Sequence, residues 1–342
     1  MKVLIDGITG QDGFYLAQYL LNRGCDITGV VRRTSLPTNA RLENLKPAGA
    51  LKIVDGDVTD LASLTQILGD LQPDHYYHLA AASHVGQSWK CPVANSQITG
   101  LGTLNALEAV RIASPKTRFY FAGSSEQFGN TLDNGGALNE QSPMSPESPY
   151  AVSKVFGYHM TGVYRRSYGL HASAGILFNH ESFARGEEFV SRKITMSLAR
   201  IKHRVQDKVR LGNVDSKRDW GHARDYVRAM VLMLEQDIPD DYVIATGSTH
   251  SVWDFLTEAC KFFDLDPHKV LEIDPALIRP KDVNVLLGDP HKARKKLGWA
   301  PEITFEELVR EMCLFDLYHC HPDPAQRAKA VEALEGVTIN GC

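Results

Sequence analysis

Two short stretches carry the side-chain types that proton transfer needs. Gly123-Ser124-Ser125-Glu126 follows an apolar run of strand length, Phe119 to Ala122. Tyr150-Ala151-Val152-Ser153-Lys154 opens a stretch with helical spacing. A tyrosine and a lysine four residues apart share one helix face. An ammonium beside a phenol favours the phenolate, drawing down a pKa that is otherwise about 10. Tyr150 then reads as an acid/base group usable at neutral pH, with Ser124 able to donate to the same oxygen. Glu126 adds a carboxyl able to handle a second proton. Tyr-x-x-x-Lys recurs by chance, so the pair gains weight only from the elements that position it.

Those elements begin at the N-terminus. Met1 to Gly13 holds an apolar strand, Val3 to Ile5, followed by Gly7, Gly10 and Gly13. Leu16, Tyr19 and Leu20 then repeat at helical spacing until Gly24. A strand that feeds a helix through a glycine turn, with Gln11 and Asp12 at the helix start, presents free N–H groups and a positive dipole end to a pyrophosphate. The second strand, Ile27 to Val31, ends in Arg32-Arg33-Thr34-Ser35 where NAD-preferring folds usually place an acid. Two guanidinium groups there suit a ribose 2′-phosphate, so NADP is the expected cofactor.

Leu51 to Val54 reads as a third strand, running into Gly56-Asp57-Val58-Thr59-Asp60. An acid there can meet an adenine amine, and Asp60 can equally cap the next helix. His75 to Leu79 makes a fourth strand before Ala80-Ala81-Ala82-Ser83, small residues suited to a flat cofactor. A helix over Gly100 to Ile112, the Phe119–Ala122 strand, a helix over Tyr150 to Tyr164 and a strand near Ala174 to Phe178 follow. This alternation predicts an α/β fold, a Rossmann doubly wound parallel sheet. Residues 1–178 form the expected dinucleotide domain, with segments near 212–246 returning to it. Residues 179–322 form a smaller, discontinuous α/β substrate domain, and 323–342 a tail that forms a terminal helix or frays. Within the second region the pattern predicts a basic helix over Phe183 to Val209, a strand at Tyr242 to Ala245, and helices over Trp253 to Phe263 and Phe305 to Tyr318.

At 342 residues the chain can bury a large core, and a formal charge of −4 argues against a nucleic-acid surface. No apolar run is long enough to span a bilayer, so no membrane is expected. An acid at Asp6 and a glycine at Gly7 do not fit a signal peptide, which makes the cytoplasm the expected compartment. Six cysteines without paired spacing read as reduced thiols. Cys313, His319, Cys320 and His321 fit no usual zinc spacing, so no metal is expected.

Together these stretches resemble the extended short-chain dehydrogenases/reductases and, within them, the GDP-mannose 4,6-dehydratase family. The resemblance runs to about Tyr318. It rests on Gly7 to Gly13, Arg32 to Ser35, Ser83-His84-Val85, the Tyr150/Lys154 pair and Ile176 to Ser182. The longest shared runs are Lys217 to Val227 and Val243 to Gly247. In such a dehydratase Tyr150 takes the proton from the sugar O4 as C4 gives up hydride, and Glu126 removes the C5 proton and helps water leave from C6. The resemblance further implies cofactor contacts at Gly7, Gly10, Gln11, Asp12, Gly13, Arg32, Arg33, Asp57, Val58, Leu79, Ala81, Ser83, Tyr150, Lys154, His180 and Arg185. For a GDP-sugar it implies Ser83, Asn179, Lys193, Asn213, Arg218 and Arg279. It also implies a homodimer or homotetramer, with pairing through the helices near Gly100 and Tyr150.

Five positions depart from that pattern. Asp6 stands where the family usually has Thr, Ser124 for Thr, Ala82 for Gln, and Phe183-Ala184-Arg185-Gly186 for Pro-Arg-Arg-Gly. A dehydratase of another GDP-sugar, or an epimerase, stays open on these residues.

Overall fold

The computed structural model describes residues 1–33, 42, 50–131, 136–278 and 281–330. Its framework is a seven-stranded parallel sheet. The first six strands in the chain are β1 (Lys2–Asp6), β2 (Asp26–Val31), β3 (Leu51–Asp55), β4 (His75–His78), β5 (Arg118–Ala122) and β6 (Ala172–Leu177). Their order is Tyr242–Ile244, β6, β5, β4, β1, β2, β3. The strand Tyr242–Ile244 thus returns from late in the sequence to the sheet's outer edge. All six pairings are parallel, with Ile5 opposite both Gly29 and Tyr77. Strand order reverses between β1 and β4, which opens a crevice beyond their carboxyl ends.

Both faces of the sheet are covered, as parallel strands require. One face packs Leu16 and Leu20 of helix α1 (Gln11–Asn22) with Tyr226, Met230 and Leu234 of helix Ala223–Glu235. The other packs Leu64 and Leu68 of helix α2 (Leu61–Leu71) with Leu107, Val110 and Tyr164 from helices Gly102–Ala113 and Pro149–Tyr168. A second cluster joins Ile194, Leu198, Trp220, Phe255, Leu256 and Met312, and this region carries sets of two or three short strands rather than one sheet. Among the described residues no helix is long and apolar enough to cross a membrane.

Two predicted helices differ in extent. The helix expected over Phe183 to Val209 is confined to Val190–Lys202, and Val209–Leu211 is a strand. The reason is non-local. Arg192 donates to the carbonyls of Phe183 and Arg185 and pairs with buried Asp316 at 2.7 Å, which holds the preceding segment as a turn. Arg204, at φ +61°, takes the left-handed conformation just beyond the helix's C-terminal end. The helix expected from Gly100 instead begins at Gly102, preceded by a wider π-turn at Ser96–Leu101.

Candidate active site

Gly7 marks the end of β1 with φ +64°. A Cβ there would lie 2.8 Å from the Ala80 nitrogen and 2.9 Å from the Leu79 carbonyl carbon. A Cβ on Gly13 would lie 2.4 Å from the Ile8 Cα. Glycine is therefore what lets the turn lie against β4 and α1 against the turn. The Gly7→Ala variant should lose about 1–3 kcal/mol to backbone strain alone, with the clash at Ala80 adding to it. A lowered midpoint in denaturant unfolding checks this.

α1 starts after Gly10 with no side-chain cap, leaving its first N–H groups to the crevice. Gln11 ties this turn across the cleft, donating to the His180 carbonyl at 2.9 Å and accepting from Ser182 Oγ at 2.8 Å. Asp12 Oδ2 lies 2.9 Å from His180 Nε2, and the His180 ring stacks on Tyr226 at 4.6 Å. Burial opposes charge on both groups, yet each outweighs that for the other: the Asp12 pKa falls and the His180 pKa rises.

The catalytic candidates come from the next two strand ends. Ser124 caps the single turn Ser125–Phe128, accepting from the Glu126 N–H at 3.3 Å, while Gln127 Oε1 accepts from the Ser124 N–H at 2.7 Å. Gln127 and Phe128 are fully buried, so this short turn is anchored and Glu126 stays half-buried on the cleft side. Ser148 caps helix Pro149–Tyr168 by accepting from the Ala151 N–H at 3.1 Å, which places Tyr150 in the first turn and Lys154 one turn on.

The electrostatics of this pair correct the sequence reading. Lys154 Nζ donates to the Ala122 carbonyl at 2.6 Å and lies 5.9 Å from the Tyr150 ring centroid. Tyr150 is buried, and desolvation pushes its pKa up to about 12, with a Ser124 hydrogen bond countering part of the rise and the Glu126 charge adding to it. Burial draws Lys154 down to about 8, while Asp6 and Asp12 pull it back up. The phenol rests protonated, and the ammonium persists only below pH about 8. Dinucleotide binding and turnover that use this ammonium should therefore weaken as pH rises through about 8, read from a pH series of binding titrations.

One cleft of about 890 Å³ gathers Gly7, Gly10, Gln11, Asp12, Gly13, Arg32, Asp57, Val58, Leu79, Ala81, Ser83, Ser124, Glu126, Tyr150, Lys154, Asn179, His180, Arg185, Lys193, Asn213 and Arg218. Arg33 is not among its walls: it lies exposed beyond β2, whereas Arg32 lines the cleft. Thr34, Ser35 and Arg279 lie outside the described residues. Asp60 caps α2, leaving Asp57 on the cleft wall. Arg185 ion-pairs with Glu181 at 3.0 Å and lies over the Phe189 ring, 3.7 Å from its centroid. Arg218 is oriented by the Val283 carbonyl at 2.7 Å and Asp282 at 3.1 Å. The Asn213 side chain closes a local turn, donating to Ser216 Oγ and accepting from the Asp215 N–H.

The sequence reading missed Glu188, Phe189 and Asp282 on the cleft wall. Their neighbours in the chain give no sign of it, because folding brings them there from the second region. Ala82 lines both this cleft and an adjoining recess of about 330 Å³. Ala184 is buried in the core beside Phe183, which stacks on Phe315 at 4.7 Å.

The cleft fits a dinucleotide on its own terms: a glycine cradle that a Cβ would fill, uncapped helix N–H groups, and a buried tyrosine–lysine pair. Comparison with known proteins agrees. The family described as GDP-mannose 4,6 dehydratase matches residues 4–312. The GDP-mannose 4,6 dehydratase of Drosophila melanogaster is 42% identical, covering 94% of this chain and 87% of its own. GDP-mannose 4,6 dehydratase 2 of Arabidopsis thaliana is 45% identical, covering 92% and 86%. The solved dTDP-glucose 4,6-dehydratase DesIV of Streptomyces venezuelae, with NAD bound, shares the fold at TM-score 0.82 and 23% identity, covering 92% of this chain and 96% of that one. The UDP-glucose 4-epimerase of Thermus thermophilus, also with NAD, aligns at TM-score 0.79 and 25% identity, covering 92% and 98%. With its Rossmann sheet, its cleft and a match along nearly its whole length, this chain belongs to the GDP-mannose 4,6-dehydratase family.

Proposed function

We propose that this chain is a hydro-lyase that converts GDP-mannose to GDP-4-keto-6-deoxymannose and water. The observation that carries this reading is the placement of Glu126 in the same cleft as Ser124, Tyr150 and Lys154, close enough that its charge acts on the Tyr150 phenol. A carboxyl beside the phenol adds a second proton acceptor, which dehydration needs and simple alcohol oxidation does not.

When bound, a nicotinamide dinucleotide supplies the hydride acceptor for C4 and the donor for C6, so no net reduction results. The Gly7–Gly13 turn, Arg32, Asp57, Val58, Leu79, Ala81, Ser83, Lys154, His180 and Arg185 would hold it. Tyr150, its own proton first released to solvent and with Ser124 on the same oxygen, accepts the O4 proton as C4 is oxidised. The 4-ketone acidifies C5–H, and Glu126 takes that proton. Glu126 returns it to the departing C6 hydroxyl, which leaves as water. The proton on Tyr150 balances the one that C5 regains. Asn179, Lys193, Asn213 and Arg218 face the GDP portion in this reading, Arg218 as a partner for the diphosphate.

NADP is the preferred dinucleotide in this reading, on the support of Arg32 at the end of β2 where an acid would select NAD. A charge-assisted hydrogen bond contributes about 1.5–3 kcal/mol. The Arg32→Glu variant should therefore shift preference from NADP toward NAD by about 10–100-fold in dissociation-constant ratio. An unchanged ratio assigns the 2′-phosphate to other groups. We also propose pairing of two copies through helices Gly102–Ala113 and Pro149–Tyr168, supported by exposed Leu101, Val152, Phe156 and Val163 on this side. A monomer mass by light scattering removes that part.

The test of the activity is incubation of purified protein with GDP-mannose and NADP. A 4-keto-6-deoxy product without net NADPH is expected. A C4 epimer as product, or turnover only with another GDP-hexose, overturns the assignment.

A further inference from the structure

Asp6 is an acid almost wholly removed from solvent, 1% exposed, at the last position of β1 and directly before Gly7. Its carboxylate is saturated. Oδ1 accepts the Leu79 and Ala80 N–H groups, both at 2.7 Å. Oδ2 accepts the Tyr76 hydroxyl at 2.6 Å and meets His78 Nδ1 at 2.5 Å. The network continues: His78 Nε2 lies 3.0 Å from Thr103 Oγ1, which donates to the Thr99 carbonyl. Thr99 Oγ1 in turn accepts the Ala82 N–H at 3.1 Å. The backbone from Leu79 to Ala82, a wall of the cleft, is therefore held at both ends by buried side chains.

We propose that Asp6 is a positioning residue for the dinucleotide: it fixes the Leu79–Ala80 wall and places a buried negative charge in the cleft that Lys154 also lines. This rests on the dinucleotide reading above and assigns a role to a residue that the family resemblance leaves unexplained.

Among the described residues, few groups bear on the Lys154 charge. Asp6 on β1 and Asp12 on α1 are the acids that favour its charge, Tyr150 stands on its own helix, and the Phe121 ring on β5 lies 5.1 Å from Nζ. Behind Asp12 stands His180, and around Asp6 stand Tyr76 and His78. Asp6 is itself a stable anion. Burial works against its charge, but His78, the Tyr76 hydroxyl and the Ala80 N–H hold its pKa below the ordinary carboxylate range. Each acid has an imidazole partner, His180 for Asp12 and His78 for Asp6, and of the two Asp6 acts more strongly on Lys154.

The decisive variant is Asp6→Asn. Its amide oxygen can keep the Leu79 and Ala80 bonds, and its NH₂ can donate to His78 once the ring carries its proton on Nε2 toward Thr103. Shape and the two amide bonds survive, the Tyr76 hydroxyl loses its acceptor, and the charge goes. Equilibrium binding of NADP is measured by titration calorimetry across pH, with no turnover involved. Wild type should weaken as pH rises through about 8. Asp6→Asn should weaken at a pH lower by roughly one unit. Asp6→Ala, which also frees the two amides, should bind at least about tenfold more weakly at pH 7. An Asp6→Asn profile that superimposes on wild type overturns the inference, whether or not Asp6→Ala folds. Wild type that binds no dinucleotide at any pH sinks the cofactor reading instead, so the two failures are distinguishable.

Discussion

The Glu126→Gln variant, given one equivalent of GDP-mannose and bound NADP, should oxidise the sugar and then stop. The expected record is a rise in reduced-nicotinamide absorbance that persists, with turnover down by about 10²–10⁴-fold. The physical ground is a division of labour. Oxidation at C4 draws on Tyr150, Ser124 and Lys154, all of which the substitution leaves in place, and loss of the Glu126 charge eases ionisation of the Tyr150 phenol. Removal of the C5 proton and protonation of the C6 hydroxyl both need a group that gains and loses a proton, and an amide does neither. Gln has the same shape, and the Glu126 carboxyl makes no hydrogen bond or ion pair among the described residues, so folding should be unaffected. Product formed at close to the wild-type rate would remove Glu126 from the mechanism. A variant that cycles freely between C4 epimers would point to an epimerase whose carboxylate is incidental.

Much of this site was legible because its chemistry is written over short spans. The glycine turn needs seven residues, the tyrosine–lysine pair five, and Ser124 and Glu126 stand within three of each other. Strand and helix periodicity also sufficed for the central sheet. The illegible parts depend on partners far along the chain. Asp6 looks misplaced beside a pyrophosphate turn until β4 brings Tyr76 and His78 against it, 70 and 72 residues on. The turn at Phe183 to Phe189 read as helix because its composition allows one. Arg192 bonds two of its carbonyls and is itself fixed by Asp316, 124 residues away. The short strands Asn179–Glu181 and Trp220–His222 pair only with each other, and two or three residues carry no period of their own.

The tyrosine–lysine electrostatics show why spacing alone misleads. At i and i+4 the two side chains share a face, and in water the ammonium would stabilise the phenolate. In the folded chain both lie within the protein, so desolvation acts on each and raises the one pKa while lowering the other. Lys154 turns to the Ala122 carbonyl, and its charge is compensated from β1 and α1 rather than by its helix neighbour.

The Tyr150→Phe variant should fail one step earlier than Glu126→Gln. Phenylalanine fills the same volume and removes one hydroxyl, so stability should stay within about 1 kcal/mol of wild type, and NADP should still bind. A phenol with a pKa pushed up to about 12 becomes a base only after it has released its resting proton to solvent. Without it the O4 proton has no acceptor beside it except Glu126, which this reading assigns to C5–H, since Ser124 is a donor to the same oxygen and Lys154 carries its own proton below pH about 8. Turnover should fall by about 10²–10⁴-fold with no reduced nicotinamide in a single turnover. The double variant should look like Tyr150→Phe alone, because a block before oxidation hides one after it. If the double variant instead accumulates reduced cofactor, a group other than Tyr150 and Glu126 takes the O4 proton, and the acid/base assignment of Tyr150 must be abandoned.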